Sequence, residues 1–251
     1  MTRLACRIAL LLAFLAAGLA RASSDYSITP LRIDLDRNAR SAVVTLGNTG
    51  DESIDFQVSA MDWSQDAEGR DLYTPTPELV FFPKIFTLKV GESRVIRVGT
   101  QSVPPATERT YRLFVEPIPK RREEPLPPGA NVAVTLRFAL PVFVKPPLPH
   151  AAGDVEGLAL RQGQASLVVR NTGNEHLRFD EGATLVGRDA AGAEILSQKL
   201  ELRYVLAGSG RPLSFAIPKE VCARLATLDV TARASQFTLS RQLATTRAGC
   251  E

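Results

Sequence analysis

Short apolar runs alternate with polar positions at a period of two along almost the whole chain. They are interrupted every few residues by Gly, Pro, Asn or Asp. Side chains of an extended chain point alternately to opposite faces, so this pattern predicts short strands with one face buried, as in a β-sandwich. A helical period is nearly absent, and the one plausible helical turn is Lys219 to Leu225. The expected fold class is all-β.

An internal repeat divides these strands into two sets. Ala42-Val-Val-Thr-Leu-Gly-Asn48-Thr49-Gly50 is echoed by Ala165-Ser-Leu-Val-Val-Arg-Asn171-Thr172-Gly173, an offset of 171 − 48 = 123 residues. The same offset carries Ile54 and Phe56 onto Leu177 and Phe179, and Asp66-Ala67-Glu68-Gly69 onto Asp189-Ala190-Ala191-Gly192. A weaker match, Leu88 to Arg94 with Leu206 to Arg211, needs a six-residue deletion. One shared offset points to a duplicated sandwich. Asn-Thr-Gly and Asp-x-x-Gly are expected to turn the chain through residues that tolerate positive φ. The boundary is expected at Lys145-Pro146-Pro147-Leu148-Pro149-His150, where prolines stop a strand and stiffen a hinge. The expected domains are residues 23–146 and 147–251.

The last run before that boundary is unusual. Val132, Val134, Leu136, Phe138, Leu140, Val142 and Val144 share one side of an extended chain, with Ala133, Thr135, Arg137, Ala139, Pro141 and Phe143 on the other. Seven apolar residues in phase make a strand longer than is typical, and an edge strand of this kind is an aggregation hazard. The plain reading is a core strand, and Leu140 to Val144 are expected to pack inside the first sandwich. Pro141, which has no N–H, speaks against a central position paired on both sides. The functional reading is that Val132, Val134 and Leu136 complete a partner's sheet, each contributing about 1.5–3 kcal/mol when fully buried there. The preceding Lys120-Arg121-Arg122-Glu123-Glu124-Pro125-Leu126-Pro127-Pro128-Gly129 is charged and proline-rich, as in a solvated loop.

The chain ends add a compartment. Residues 1–22 carry Arg3 and Arg7, an apolar run from Ile8 to Ala20 and a small-x-small site Ala20-Arg21-Ala22, so a secretory signal is expected, with the mature chain starting near Ser23. Cys6 would leave with it. Cys222 and Cys250 then remain, an even count in a chain bound for an oxidising compartment, where a disulfide worth about 3–4 kcal/mol is expected; two free buried thiols are the alternative. No second apolar stretch is long enough to span a membrane, so no stable membrane insertion is expected after cleavage. A net charge of +3, with acidic residues interspersed among the basic ones, argues against nucleic acid as a partner.

Catalytic patterns are missing. His150 and His176 lack spaced Cys, His or carboxylate partners for a metal site or a triad, and no glycine-rich phosphate loop or G-x-S-x-G elbow occurs. Asp62, Asp66 and Glu68 read as a solvated hairpin rather than a calcium site. Trp63 is expected in the first core. No cofactor, no metal and no enzymatic activity are expected.

Three segments carry a resemblance. Val80 to Val98, Glu108 to Pro119 and Asn131 to Pro146 resemble the D-to-E region, F strand and G strand of the periplasmic pilus (fimbrial) assembly chaperones, and Pro30-Leu31-Arg32 resembles their first strand. The resemblance covers the first domain and is loose in the second. It implies a boomerang of two immunoglobulin-like β-sandwiches in the periplasm that captures incomplete pilus subunits and delivers them to an outer-membrane usher. It implies that a donor strand, here Val132, Val134, Leu136 and Phe138, fills the subunit groove, and that a basic pair holds the subunit's carboxylate. The arginine of that pair falls on Arg32; its lysine falls on Pro141, a departure that suggests a divergent archaic or spore-coat-like branch. Arg112 is the candidate substitute, with Arg97 and Lys145 behind it. The rival reading is a structural or adhesive pilus protein, but such a subunit should carry an N-terminal donor extension and lack its own G strand.

Overall fold

A computed structural model describes residues 26–101, 103, 105–119 and 136–250. The expected signal segment, Cys6, the 120–129 loop, Val132 and Val134 lie outside the described residues.

Among the described residues, eighteen strands fold into two sandwiches. In the first, β1 (Tyr26–Thr29), β3 (Ser41–Asn48), β8 (Ser93–Thr100) and β6 (Leu79–Phe82) form one sheet in that spatial order. The facing sheet runs β2 (Ile33–Leu35), β10 (Phe138–Val144), β9 (Arg109–Pro117), β4 (Ile54–Gln65) and β5 (Asp71–Pro75), with β7 (Ile85–Leu88) also on β4. Every second residue of these strands meets between the sheets: Val44 and Leu46, Phe56 and Val58, Ile96 and Val98, Leu140, Val142 and Val144. Leu140, Val142 and Val144 thus pack inside the first sandwich.

The second sandwich pairs β11 (Gly153–Arg161), β12 (Gln164–Asn171) and β16 (Gly210–Ala216) against β14 (Glu194–Leu200), β13 (Leu177–Arg188), β17 (Thr227–Ala234) and β18 (Thr238–Ala244), with β15 (Tyr204–Val205) on β13. A single helical turn, α1 (Lys219–Cys222), covers one end, and Cys222 and Cys250 form a disulfide with their Cα atoms 5.8 Å apart.

The 123-residue offset maps β3 onto β12 and β4 onto β13 end for end (41 + 123 = 164, 65 + 123 = 188). Gly69 and Gly192 both take positive φ, +74° and +82°, and each closes its turn by donating to the carbonyl of Asp66 or Asp189. Asn-Thr-Gly works differently from expectation, because neither Asn48 nor Asn171 has positive φ. The buried Asn48 amide instead donates to Glu52 O (2.7 Å) and Leu88 O (3.0 Å) and accepts from Gly50 N (2.9 Å). Asn171 repeats this with Glu175 O, Val205 O and Gly173 N at 2.7, 2.9 and 2.9 Å. The Leu88 to Val205 shift is 117, six short of 123, which is the deletion read in the sequence. Gly173 is required for close approach, since a Cβ there would sit 2.3 Å from His150 O.

Trp63 is a correction. It is buried, but in a separate cluster with Phe143 and Leu206 where the sandwiches meet, not in the first core. Phe56, Val58 and Ala60 face the core at even positions of β4, and Trp63 is odd, so it projects from the opposite face.

Candidate functional site

The strand singled out in the sequence lies at an unusual place in the sheet. Along its whole length β10 pairs antiparallel with β9, but only Val142–Val144 also pair with β2. Upstream of Val142, the edge of β10 away from β9 has no partner strand among the described residues. Pro141 sits opposite Arg112 on that one-sided stretch, where its missing N–H breaks no ladder on the open side.

At the start of this stretch Leu136 is 47 % exposed, in phase with the core residues but beyond the rim of the core. Its carbonyl accepts from the Tyr26 hydroxyl, which anchors the chain just ahead of β10. Phe138 does not share that exposure. It is half-buried against the first core, edge to face with Tyr26 at 5.6 Å. Of the four expected donor residues, Leu136 and Phe138 are described, and only Leu136 is presented to solvent.

The outer face of the same sheet, turned toward the second sandwich, carries aromatic rings covered by arginines. Arg137 lies 3.8 Å from the Phe114 ring centroid, Arg112 lies 3.7 Å from that of Trp63, and Arg32 lies 5.0 Å from that of Phe143. A guanidinium stacked on a ring keeps its in-plane N–H groups available for planar acceptors. Arg112 uses one to reach Ala139 O (3.1 Å), and its other terminal nitrogen is 4.0 Å from the Asp71 carboxylate.

Arg32 is more fully engaged. Its Nε and Nη2 donate to both oxygens of Asp34, at 2.8 and 2.7 Å, and Lys145 Nζ is 3.5 Å from the same carboxylate. Burial works to raise the pKa of Asp34, but the hydrogen bond and charge of Arg32, helped by Lys145, outweigh it and hold the group below the ordinary aspartate range. Lys145 therefore joins Arg32, and Arg112 lies farther along the same face across the Trp63–Phe143 pair, whose centroids are 6.0 Å apart. Arg97 is not brought to this group: it lies exposed on β8, in the other sheet.

Several contacts fix the second sandwich against this face. His176 stacks on Phe143 at 3.7 Å, and both its backbone N and Nδ1 lie 2.8 Å from Glu108 Oε2. The Gln65 amide donates to Tyr204 O (3.1 Å) and accepts from Leu206 N (3.0 Å), while Arg211 donates to Gly69 O. The Glu108–His176 pair was not read from the sequence, where the two are 68 residues apart and nothing in the local pattern joins them. Trp63 and Phe143 did leave a signal, since each is a large apolar residue out of phase with its strand's core set.

Comparison with known proteins places this geometry. Residues 26–149 match the model of the pili and flagellar-assembly chaperone family, PapD N-terminal domain. Among solved structures, the chain is similar to one from the CsuC–CsuE chaperone–tip adhesion subunit pre-assembly complex of the archaic chaperone-usher Csu pili of Acinetobacter baumannii. The identity is 20 %, the TM-score 0.56, and 87 % of this chain and 96 % of that one are covered. The YadV chaperone is similar at 15 % identity and TM-score 0.57, covering 88 % and 100 % of the two chains. A chain of the Salmonella enterica SafA pilin–SafB chaperone complex is similar at 13 % and 0.55, covering 89 % and 99 %. No curated protein matches the sequence. At these identities the solved structures establish the fold, two immunoglobulin-like sandwiches, and the family match covers the whole first sandwich with the strand that carries the open edge. The first sandwich thus belongs to the pili and flagellar-assembly chaperone family as its PapD N-terminal domain.

Proposed function

We propose that this protein is a periplasmic chaperone that holds pilus subunits by donor-strand complementation and passes them to an outer-membrane usher. The observation that carries the reading is the open edge of β10 upstream of Val142, with Leu136 exposed at its start. A free backbone edge supplies hydrogen bonds to an incoming strand, and alternate apolar side chains fill its groove. The sequence continues the same phase upstream through Val134 and Val132, so three side chains of one series are available to one groove. The complexes named above, a chaperone with a tip adhesion subunit and a chaperone with a pilin, support subunits as the partners. Arg32 and Arg112, on the face beside the donor edge, are the proposed anchors for a subunit carboxylate, with Arg112 standing across from Pro141.

Co-expression in the periplasm with pilins encoded nearby, followed by purification, tests this reading. The wild-type chain is expected to yield a one-to-one complex. Leu136→Asp is expected to lower capture at least tenfold, because it places a charge where an apolar group must be buried, while far-ultraviolet circular dichroism stays unchanged. Capture by Leu136→Asp at the wild-type level would refute strand donation.

A further inference from the structure

Followed upstream, β10 loses its ladder to β9 before the chain reaches Leu136. Lys145 N donates to Leu35 O on β2 at 2.8 Å, so odd-numbered residues of this strand turn their backbone groups to the β2 side and even-numbered ones turn theirs to β9. The Phe138–Val115 pair is the last of the ladder, and the same register sets Leu136 opposite Pro117. Pro117 has no N–H, so the Leu136 carbonyl on that side finds no donor on β9. The Tyr26 hydroxyl supplies one. Tyr26 belongs to β1, in the facing sheet, and its buried ring lies edge to face with Phe138 at 5.6 Å and with Phe56 at 5.0 Å. Phe56 is in turn stacked on Phe86 at 5.7 Å. Held by these rings, the phenol makes the bond that Pro117 cannot make.

A fixed point here matters because the apolar series does not define its own register. Val132, Val134 and Leu136 recur every two residues. A slip of one residue would turn the wrong face into a groove, but a slip of two, about 6.6–6.8 Å, presents a similar row of side chains. We propose that Tyr26 is the positioning residue of strand donation: by holding the Leu136 carbonyl where the β9 ladder ends, it sets the register in which Leu136 and the chain ahead of it enter a partner's groove. This rests on the strand-donation reading above and adds the residue that fixes its alignment.

Cross-linking reads that alignment. Thr135→Cys places a thiol on the side of the strand opposite the apolar series, where a residue directly across on a partner strand comes within disulfide reach. The variant is co-expressed in the periplasm with a pilin encoded nearby that carries single cysteines at successive positions of its groove strands. With Tyr26 in place, one pilin position is expected to take most of the cross-link. Tyr26→Phe keeps the ring and removes the hydroxyl. It is expected to spread the cross-link to positions two residues away and to lower capture about three- to tenfold, the worth of one hydrogen bond. Adding Pro117→Ala restores an N–H opposite Leu136 and is expected to return the cross-link to one position. A single unchanged position in Tyr26→Phe overturns the proposal whether or not capture falls, because a phenol that only stabilises the fold leaves the alignment as it was. Persistent spread in Tyr26→Phe/Pro117→Ala overturns it as well. Capture by Thr135→Cys with no cross-link at any position removes strand donation itself, whereas one shared position in Thr135→Cys with and without Tyr26→Phe removes only the role of Tyr26.

Discussion

Asn48 and Asn171 are buried polar residues that each sandwich uses to tie a turn to a neighbouring strand. Each amide replaces three hydrogen bonds that water would otherwise make to backbone groups. Truncation leaves two carbonyls and one N–H of the turn without this partner, so Asn48→Ala and Asn171→Ala should each cost about 2–4 kcal/mol. Chemical denaturation checks this, and a loss below 1 kcal/mol, about the worth of one hydrogen bond, would show that water replaces the amide freely. Both asparagines were legible as a repeat, yet their role was not. The sequence pattern points to backbone conformation, whereas the amide's direction depends on Leu88 and Val205, which reach it only when the sheets close.

Among the elements, β10 and α1 show how far a pattern reaches. The alternation of β10 marks its core face correctly, and Pro141 marks a stretch paired on one side. Alternation cannot say where β2 stops, and that limit is what opens the edge above Val142. The α1 turn is short and has no side-chain cap, so its place depends on the disulfide from Cys222 to Cys250 and on burial of Cys222. The double variant Cys222→Ser/Cys250→Ser should lose about 3–4 kcal/mol, the chain-entropy value for a loop of this length. Denaturation of the oxidised and variant proteins measures it, and the loss should fall on the second sandwich, leaving the amide resonances of first-core residues such as Leu46 and Ile96 at their folded positions at the variant's earlier transition. Equal stability of the two would mean that the C-terminal segment is held by packing alone.

At the scale of the whole molecule, the junction rather than either core sets the functional face. Gln65 bridges two backbone groups of the second sandwich, and the Glu108–His176 pair closes the other side of the Phe143 stack. Gln65→Ala should broaden the range of domain orientations seen by residual dipolar couplings, while amide shifts away from the junction stay as they are. Besides its bond to Asp71, it removes two hydrogen bonds across the junction, worth about 1–3 kcal/mol together, against a junction whose aromatic contacts remain. Unchanged couplings would mean that those contacts alone hold the angle. The all-β class, the duplication at a 123-residue offset and the in-phase apolar series at β10 follow from the sequence itself, because alternation and turn residues act between near neighbours. The tertiary structure alone decided that Trp63 and Phe143 meet at the junction, that Asp34 engages Arg32, that Arg97 lies in the other sheet, and that the Tyr26 hydroxyl meets the Leu136 carbonyl. Apart from Arg32 and Asp34, which are two residues apart, those pairings join residues distant in sequence, and only the assembly of the sheets and the packing of one sandwich on the other determine which side chains come within reach.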